Sequence, residues 1–400
     1  MSPAGARSGP QPAAAAATRV AASTPGAGAA GDAPELVRVL DDAGRVLPGA
    51  ALPDLPVARQ VELYRTMSLM RAIDLRLEGL QRMGRIGFFG SARGQEAAVI
   101  GSGAALGPDD WVFPALRESA IMLLRGWPLA RYFAHMFGNA LDPLRGRMQP
   151  MHFAAREVKQ VSWSSCIANQ LPQAAGAAHA MKLRGRPEVA MGFVGDGGTS
   201  EPDFHAALNF AAVWRAPAVF VIQNNGWAIS VPTARQSASR SLAVKAVAYG
   251  MPGVRVDGND LLAVYREARA AVDRARRGDG PTLLELVTFR MGGHSSADDP
   301  TRYRDARDVE AWAARCPLAR LRAHLEGQGA WDAAREEAMQ EALRAEVSAA
   351  VREAEHAAPP PPLDLFDDVW ADAPPSHAEQ RADLEAELAA RAARGAGPRP

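Results

Sequence analysis

The sequence has little cysteine, no net charge and no long apolar run. Its 400 residues contain two cysteines, Cys166 and Cys316. They lie far apart and form no CxxC pair, which argues against a zinc site or a disulfide framework. Two buried thiols in a reducing compartment are expected instead, and a cytoplasmic location with them. Lys and Arg total 45 and Asp and Glu total 45. The chain therefore has no overall field to draw nucleic acid or an acidic membrane, and Arg145 and Arg147 read as solvated loop. No apolar stretch approaches the ~18 residues of a membrane span, so a soluble protein with no membrane partner is expected. Acids are also missing from the start: none precedes Asp32, and residues 1–33 are mostly Ala, Gly, Pro and Ser. Such a segment cannot bury enough apolar surface to offset its ordering entropy. It is acid-poor and contains Arg7 and Arg19, yet it lacks the apolar face of a transit peptide and the apolar core of a secretory signal. A disordered tail is the expectation.

What is present is a large apolar fraction, 48% of residues, enough for a sizeable core in two or three domains or one large α/β fold. Helical periodicity starts near Pro56: Leu63, Met70, Ile73, Leu77 and Leu80 share a stripe, and Gly84 marks a stop. A second helical stretch covers Glu118–Phe137, disturbed at Gly126-Trp127-Pro128. "QLPQAAGAAHAMK" (170–182) is a helix of small residues, suited to close packing in the core or at a subunit contact. Strand, helix and strand then follow as "EVAMGFV" (188–194), "EPDFHAALNFAAVW" (201–214) and "AVFVIQ" (218–223), with a later strand "TLLELVTF" (282–289). Alternating strands and helices imply a mostly parallel sheet with helices on both faces. The expected divisions are a tail (1–33), an α/β domain with a helical lead-in (34–304), a helical C-terminal extension (305–358) and a Pro-rich segment and tail (359–400).

The most informative stretch is "GFVGDGGTSE" (192–201), where Asp196 stands among Gly195, Gly197 and Gly198 at the junction of a strand and a helix. Thr199 and Ser200 suit N-caps, Pro202 the first turn, and Glu201 and Asp203 the positive helix end. Free amides there form an anion site, and glycines let a phosphate approach the backbone. In a parallel sheet this is the carboxyl edge, where ligands bind. The next strand ends on the same edge at Asn224-Asn225, so Asp196 and Asn225 are expected to converge. One carboxylate and one amide oxygen are too few for a calcium cage. They suit Mg²⁺, which takes its remaining ligands from phosphates and water.

"GDG" and "NN" are separated by residues 198–223, a gap of 26, and this pattern resembles the thiamine diphosphate motif. "GRIGFFGSARGQEAAVIGSGAAL", "RGRMQPMHF", "NQLPQAAGAAHAMK", "NNGWAISVPTARQ" and "FRMGGHSSADDP" narrow it further. Together, over roughly residues 55–380, they resemble the alpha subunit of the 2-oxo acid dehydrogenase first component. The resemblance implies the thiamine-diphosphate-binding α/β fold, with Mg²⁺ held by the side chains of Asp196 and Asn225 and the carbonyl of Trp227. It also implies diphosphate approach at Gly195, Gly197 and Gly198, phosphate contacts from Arg117 and Arg290, and aminopyrimidine contacts from Ser165 and the Ile167 backbone. Ser164, Asn169 and Gln170 match a loop that holds K⁺ in some relatives, and His294 matches the active-site loop histidine. His294 is expected on a mobile, exposed loop between two glycines and two serines, whereas His205 and His152 have weaker claims, with a structural role for His205. Ser295 matches a serine modified by kinases in mitochondrial relatives, and is read here as a plain loop serine.

The implied reaction is oxidative decarboxylation of a 2-oxo acid, with the acyl group passed to the lipoyl arm of an acyltransferase component. The glutamate that activates the aminopyrimidine comes from a beta subunit in this family, and no candidate for it is found here. The chain is thus expected to be half of an active site in an α₂β₂ assembly. "GRIGFF" and "PPLDLFDDVW" look more like the branched-chain enzyme than the pyruvate or acetoin ones. Three departures stand out: Leu116 replaces a usual tyrosine of branched-chain relatives, Gln223 a frequent arginine, and Pro202 a common glycine. A nicotinamide dehydrogenase would have to use "GSGAAL" (101–106), which lacks the last small residue of GxGxxG and follows no clear strand. A catalytically inactive scaffolding subunit is a third reading, opposed by the intact Asp196, Asn225, Arg290 and His294.

Overall fold

Leu63, Met70, Ile73, Leu77 and Leu80 are all buried along one long helix, as their spacing predicts, and Tyr64 and Met67 are buried beside them. In this computed structural model, which describes residues 34–394, the elements run as follows. The N-terminal half contains β1 (Leu36–Val37), α1 (Val57–Arg82), α2 (Glu96–Ala104), β2 (Trp111–Phe113), α3 (Ala120–Leu124), α4 (Leu129–Phe137) and α5 (Gln170–Leu183). The centre contains β3 (Ala190–Gly195), α6 (Pro202–Trp214), β4 (Ala218–Asn224), β5 (Trp227–Ala228), β6 (Val231–Pro232), β7 (Gly253–Asp257), α7 (Leu261–Arg276) and β8 (Thr282–Val287). The chain then continues through α8 (Ala306–Ala313), α9 (Pro317–Gly327), α10 (Ala333–Glu355) and α11 (Pro375–Ala393). The tail expected over 1–33 lies outside the described residues.

Six strands form one parallel sheet in the order β1-β7-β8-β4-β3-β2, and β5 and β6 form a separate antiparallel hairpin. Successive side chains of a strand point to opposite faces, so the central strands feed two cores. Met191, Phe193, Val219 and Val221 join one core with α1, α2 and α7, while Ala190, Val194, Phe220 and Ile222 join the other with α5 and α6. Helices therefore cover both faces. The small-residue helix α5 does pack closely: a Cβ on Gly192 of β3 would lie 3.2 Å from the Cβ of Ala174. Leu318, Leu321, Leu325, Leu343, Val347 and Val351 bring α9 and α10 into the first core, so the C-terminal helical region shares it with the sheet.

Several expectations need correction. The stretch around 118–137 is two helices, because Gly126 takes φ +83 and Pro128 begins the second. The tail expected after "PPPP" contains a helix: α11 forms there, started by Pro374-Pro375, with no buried residue. Cys166 is exposed and Cys316 half-buried beside Arg71, so neither is a buried core thiol. "GSGAAL" begins inside α2, where a Cβ on Gly101 would meet Val264 at 2.8 Å and one on Gly103 would meet Ile121 at 2.8 Å. Those glycines serve close helix packing, not a dinucleotide. Among the described residues no helix is long and apolar enough to cross a membrane.

Candidate active site

In the parallel register Gly195 of β3 lies opposite Gln223 of β4, so Asp196 and Asn225 leave adjacent strands at the same carboxyl edge. Arg290 follows β8, the next strand over. Both Asp196 and Asn225 are buried, at 2% and 7% exposure. The Asp196 carboxylate accepts the Thr233 hydroxyl at 2.8 Å and faces the Gln236 amide at 3.5 Å, both neutral donors. Burial raises its pKa to about 6, against the pull of the Thr233 hydroxyl, the Asn225 backbone amide and the Arg290 charge. Oδ1 of Asn225 accepts the Trp227 amide at 3.3 Å, and Nδ2 donates to Oε1 of Gln95 at 3.2 Å. The Trp227 carbonyl accepts Nη1 of Arg290 at 3.1 Å, and the Ile229 carbonyl accepts Nη2 at 2.6 Å.

A buried carboxylate whose side-chain hydrogen bonds come from neutral donors, an amide oxygen with a spare lone pair and a carbonyl already turned to a cation make a hard, oxygen-rich donor set. Among the described residues no cluster of three or more His, Cys, Asp or Glu could form a metal cage. A site with so few protein ligands fits Mg²⁺ that completes its octahedron from phosphate and water.

The three glycines do different things. Within 4 Å of a Cβ built on Gly195 there is nothing, so its backbone faces open space. A Cβ on Gly197 would lie 2.5 Å from the Cβ of Ala228, and one on Gly198 would lie 2.4 Å from Cγ2 of Val194. Those two let the β5–β6 hairpin and β3 close around the turn. The expected caps do not act as such. Gly197–Ser200 forms a short 3-10 turn, Thr199 Oγ1 donates back to the Asp196 carbonyl, and α6 starts from Glu201 with Pro202 at its first position.

Arg117 and Arg290 are buried, at 5% and 1% exposure. Arg117 donates to the Ser91 carbonyl through Nη1 and to the His294 carbonyl through Nη2, the latter at 2.9 Å. Burial and then the nearby Arg290 charge lower its pKa to about 10. The His294 loop is neither loose nor fully exposed. Oδ2 of Asp298 accepts the His294 amide at 2.6 Å and the Tyr303 hydroxyl, and Arg304 donates to the carbonyls of Arg290, Met291 and Gly292. His294 is half-buried, and burial followed by the Arg117 and Arg290 charges lowers its pKa to about 4. The imidazole is therefore neutral at neutral pH, not poised to titrate there. Ser295 is half-buried in the same loop.

Ser165 and Ile167 are exposed, and Ser165 Oγ lies 2.9 Å from Nε2 of His152, whose ring packs on Trp163 at 4.0 Å. In the loop read as a K⁺ site, Asn169 donates to Ser164 Oγ at 3.2 Å, while Gln170 donates to the Phe193 carbonyl at 2.5 Å. His205 lies apart, on the outer face of α6 against the Tyr249 hydroxyl. Sequence reasoning missed Thr233, Gln95 and Tyr303. The first two occur in the quoted stretches "SVPTARQ" and "ARGQEA", but nothing in residue type or spacing ties a lone hydroxyl or amide to a carboxylate far away in the chain.

The family model described as "Dehydrogenase E1 component" matches residues 64–363. The chain is 41% identical over 345 residues to the 2-oxoisovalerate dehydrogenase subunit alpha 2, mitochondrial, of Arabidopsis thaliana, covering 86% of this chain and 73% of that protein. It is 40% identical over 347 residues to a pyruvate dehydrogenase E1 component subunit alpha of Staphylococcus aureus, covering 86% of this chain and 91% of that protein. The matched span includes five of the six strands of the parallel sheet, the Asp196–Asn225 edge and the His294 loop alike, and on that breadth of likeness the chain belongs to the dehydrogenase E1 component family.

Proposed function

We propose that the chain is the alpha subunit of a 2-oxo acid dehydrogenase complex that uses thiamine diphosphate and Mg²⁺, works only with a beta subunit and acts on a branched-chain 2-oxo acid, 3-methyl-2-oxobutanoate. The observation that carries this reading is the meeting of buried Asp196 and Asn225 at the carboxyl ends of neighbouring strands. When bound, thiamine diphosphate supplies the carbanion and the electron sink that decarboxylation needs. Asp196, Oδ1 of Asn225 and the Trp227 carbonyl would hold the metal. Arg117 and Arg290 present guanidinium groups suited to phosphate oxygens; here they hold the carbonyls of Ser91, His294, Trp227 and Ile229. Gly195 leaves the backbone open to the diphosphate, and Ser165 and the Ile167 backbone would flank the aminopyrimidine. A neutral His294 offers one donor and one acceptor nitrogen, which suits moving a proton during acyl transfer to a lipoyl sulfur.

The substrate class rests on "GRIGFF" and "PPLDLFDDVW". A pyruvate substrate is the second reading, favoured by the Staphylococcus aureus relative, whose identity is nearly the same as that of the Arabidopsis thaliana one. The test is to assay the purified chain, alone and mixed with a cognate beta subunit, on 3-methyl-2-oxobutanoate and pyruvate. The expected result is turnover only in the mixture, with the branched acid preferred by kcat/KM. Turnover by the chain alone would overturn the half-site reading, and preference for pyruvate would overturn the substrate.

A further inference from the structure

Gln95 directly precedes α2 and is fully buried, at 0% exposure. Its Oε1 accepts Nδ2 of Asn225 at 3.2 Å, across 130 positions of sequence. Its own Nε2 has no hydrogen-bond partner. A buried amide donor without an acceptor carries a cost of desolvation. For packing alone, a methionine would fill the same space without that cost. The position therefore asks what a carbonyl oxygen does there that a hydrocarbon does not.

The answer lies in the symmetry of the asparagine amide. Its oxygen and nitrogen occupy nearly the same volume, so packing cannot tell them apart, yet only the oxygen can bind a cation. Asn225 is held at both ends: the Trp227 N–H donates to its oxygen, and Gln95 accepts from its nitrogen. Turning the amide over would set N–H against N–H at Trp227 and oxygen against oxygen at Gln95. The remaining lone pair of Oδ1 is thus left for a cation, which the second Nδ2 hydrogen cannot bind.

The geometry points to Gln95 as a positioning residue that locks the Asn225 amide with its oxygen toward the cation site. This rests on the reading of Asn225 as a metal ligand. The segment around Gln95 is suited to the task, since it also receives Arg117 at the Ser91 carbonyl, Met291 at the Arg93 carbonyl and Thr288 at the Gly94 carbonyl. Asp74 of α1 anchors it in turn, accepting the Ser91 hydroxyl and the Ala92 amide at 2.7 Å each.

The test is a double-mutant cycle read as Mg²⁺ affinity, by calorimetry of the assembly with the beta subunit at saturating thiamine diphosphate. Gln95→Met should weaken Mg²⁺ binding by about 10- to 100-fold, the usual scale for a partner that orients a metal ligand. Asn225→Asp presents oxygen whichever way it turns, so adding Gln95→Met to it should change affinity by less than about twofold. An equal loss in both backgrounds would mean that Gln95 merely packs, and would overturn the inference. If Gln95→Met does not assemble, Gln95→Glu carries the test. It keeps the acceptor and should spare affinity beside Asn225, but it should weaken binding in the Asn225→Asp background, where two carboxylates face each other. Equal effects in the two backgrounds would again overturn the inference. Asn225→Ala is the control for the underlying reading: unchanged Mg²⁺ affinity there would remove Asn225 from the metal site altogether, whatever Gln95 does.

Discussion

Nη2 of Arg117 donates to the carbonyl oxygen of His294 at 2.9 Å, so an arginine suited to bind phosphate also holds the loop that carries the histidine. Its other terminal nitrogen holds Ser91. Arg117→Lys keeps the charge but puts one nitrogen where the guanidinium fork reaches the two carbonyls with two, which weakens the hold on His294. A hydrogen bond to a charged group contributes roughly 1.5–3 kcal/mol, so amide exchange across residues 292–298 should quicken by about tenfold or more. Unchanged exchange in that loop would show that Asp298 and Arg304 hold it without help.

His294 gives a pH prediction with a definite sign. Its pKa in the fold is lowered from 6.5 to about 4, chiefly by burial. Between those values the unfolded chain binds a proton that the folded chain does not, so stability falls as pH drops from 6.5 toward 4. His294→Ala removes that loss. Relative to the wild type, the variant's Tm should therefore be more favourable at pH ~5 than at pH ~7. A constant Tm difference across that range would mean that the imidazole is protonated in the fold as readily as in the unfolded chain.

The same variant separates chemistry from structure. Decarboxylation followed with an artificial electron acceptor should persist in His294→Ala, while acyl transfer to a lipoylated domain should fall by ~10²-fold or more, the scale for losing a positioned acid or base. Both rates falling together with Tm would assign the histidine a purely structural role.

The glycine turn allows a contrast between neighbours. Gly198→Ala drives a Cβ to 2.4 Å from Cγ2 of Val194, and overpacking of this kind costs about 1–3 kcal/mol. Its Tm should drop. Gly195→Ala meets nothing within 4 Å and should leave Tm nearly unchanged while weakening thiamine diphosphate binding. If Gly195→Ala binds cofactor like the wild type, the open face beside it is not where the diphosphate lies.

Much of the architecture was legible because periodicity is local. The α1 stripe and the β3 and β4 runs announce themselves in a few residues, and the same runs place Asp196 and Asn225 on one edge. Other elements had no such signal. Helix α2 is buried on nearly every side, so "EAAVIGSGA" has no polar face to give it a period. Strand β2 has only three residues, and β7 reads "GVRVD", with Arg255 and Asp257 in a strand that pairs on both edges. At the site, residue types pointed to Asp196 and Asn225 but not to Thr233 or Gln95, whose contacts with them exist only once distant segments meet. The character of His294 also depended on the fold. Its glycine and serine neighbours suggested exposure, and Asp298, Tyr303 and Arg304 instead tie the loop down beside two arginines.

In the proposed function, Asp196 and its neighbours hold the Mg²⁺ that binds thiamine diphosphate. Calorimetric titration of thiamine diphosphate into the assembly with the beta subunit, with and without Mg²⁺, tests it directly for wild type and Asp196→Ala. The account predicts Mg²⁺-dependent binding by the wild type and none detectable by Asp196→Ala, with circular dichroism spectra that superimpose, because removing the one carboxylate leaves the diphosphate charge uncompensated at the glycine turn. Undiminished, Mg²⁺-dependent affinity in Asp196→Ala would contradict it.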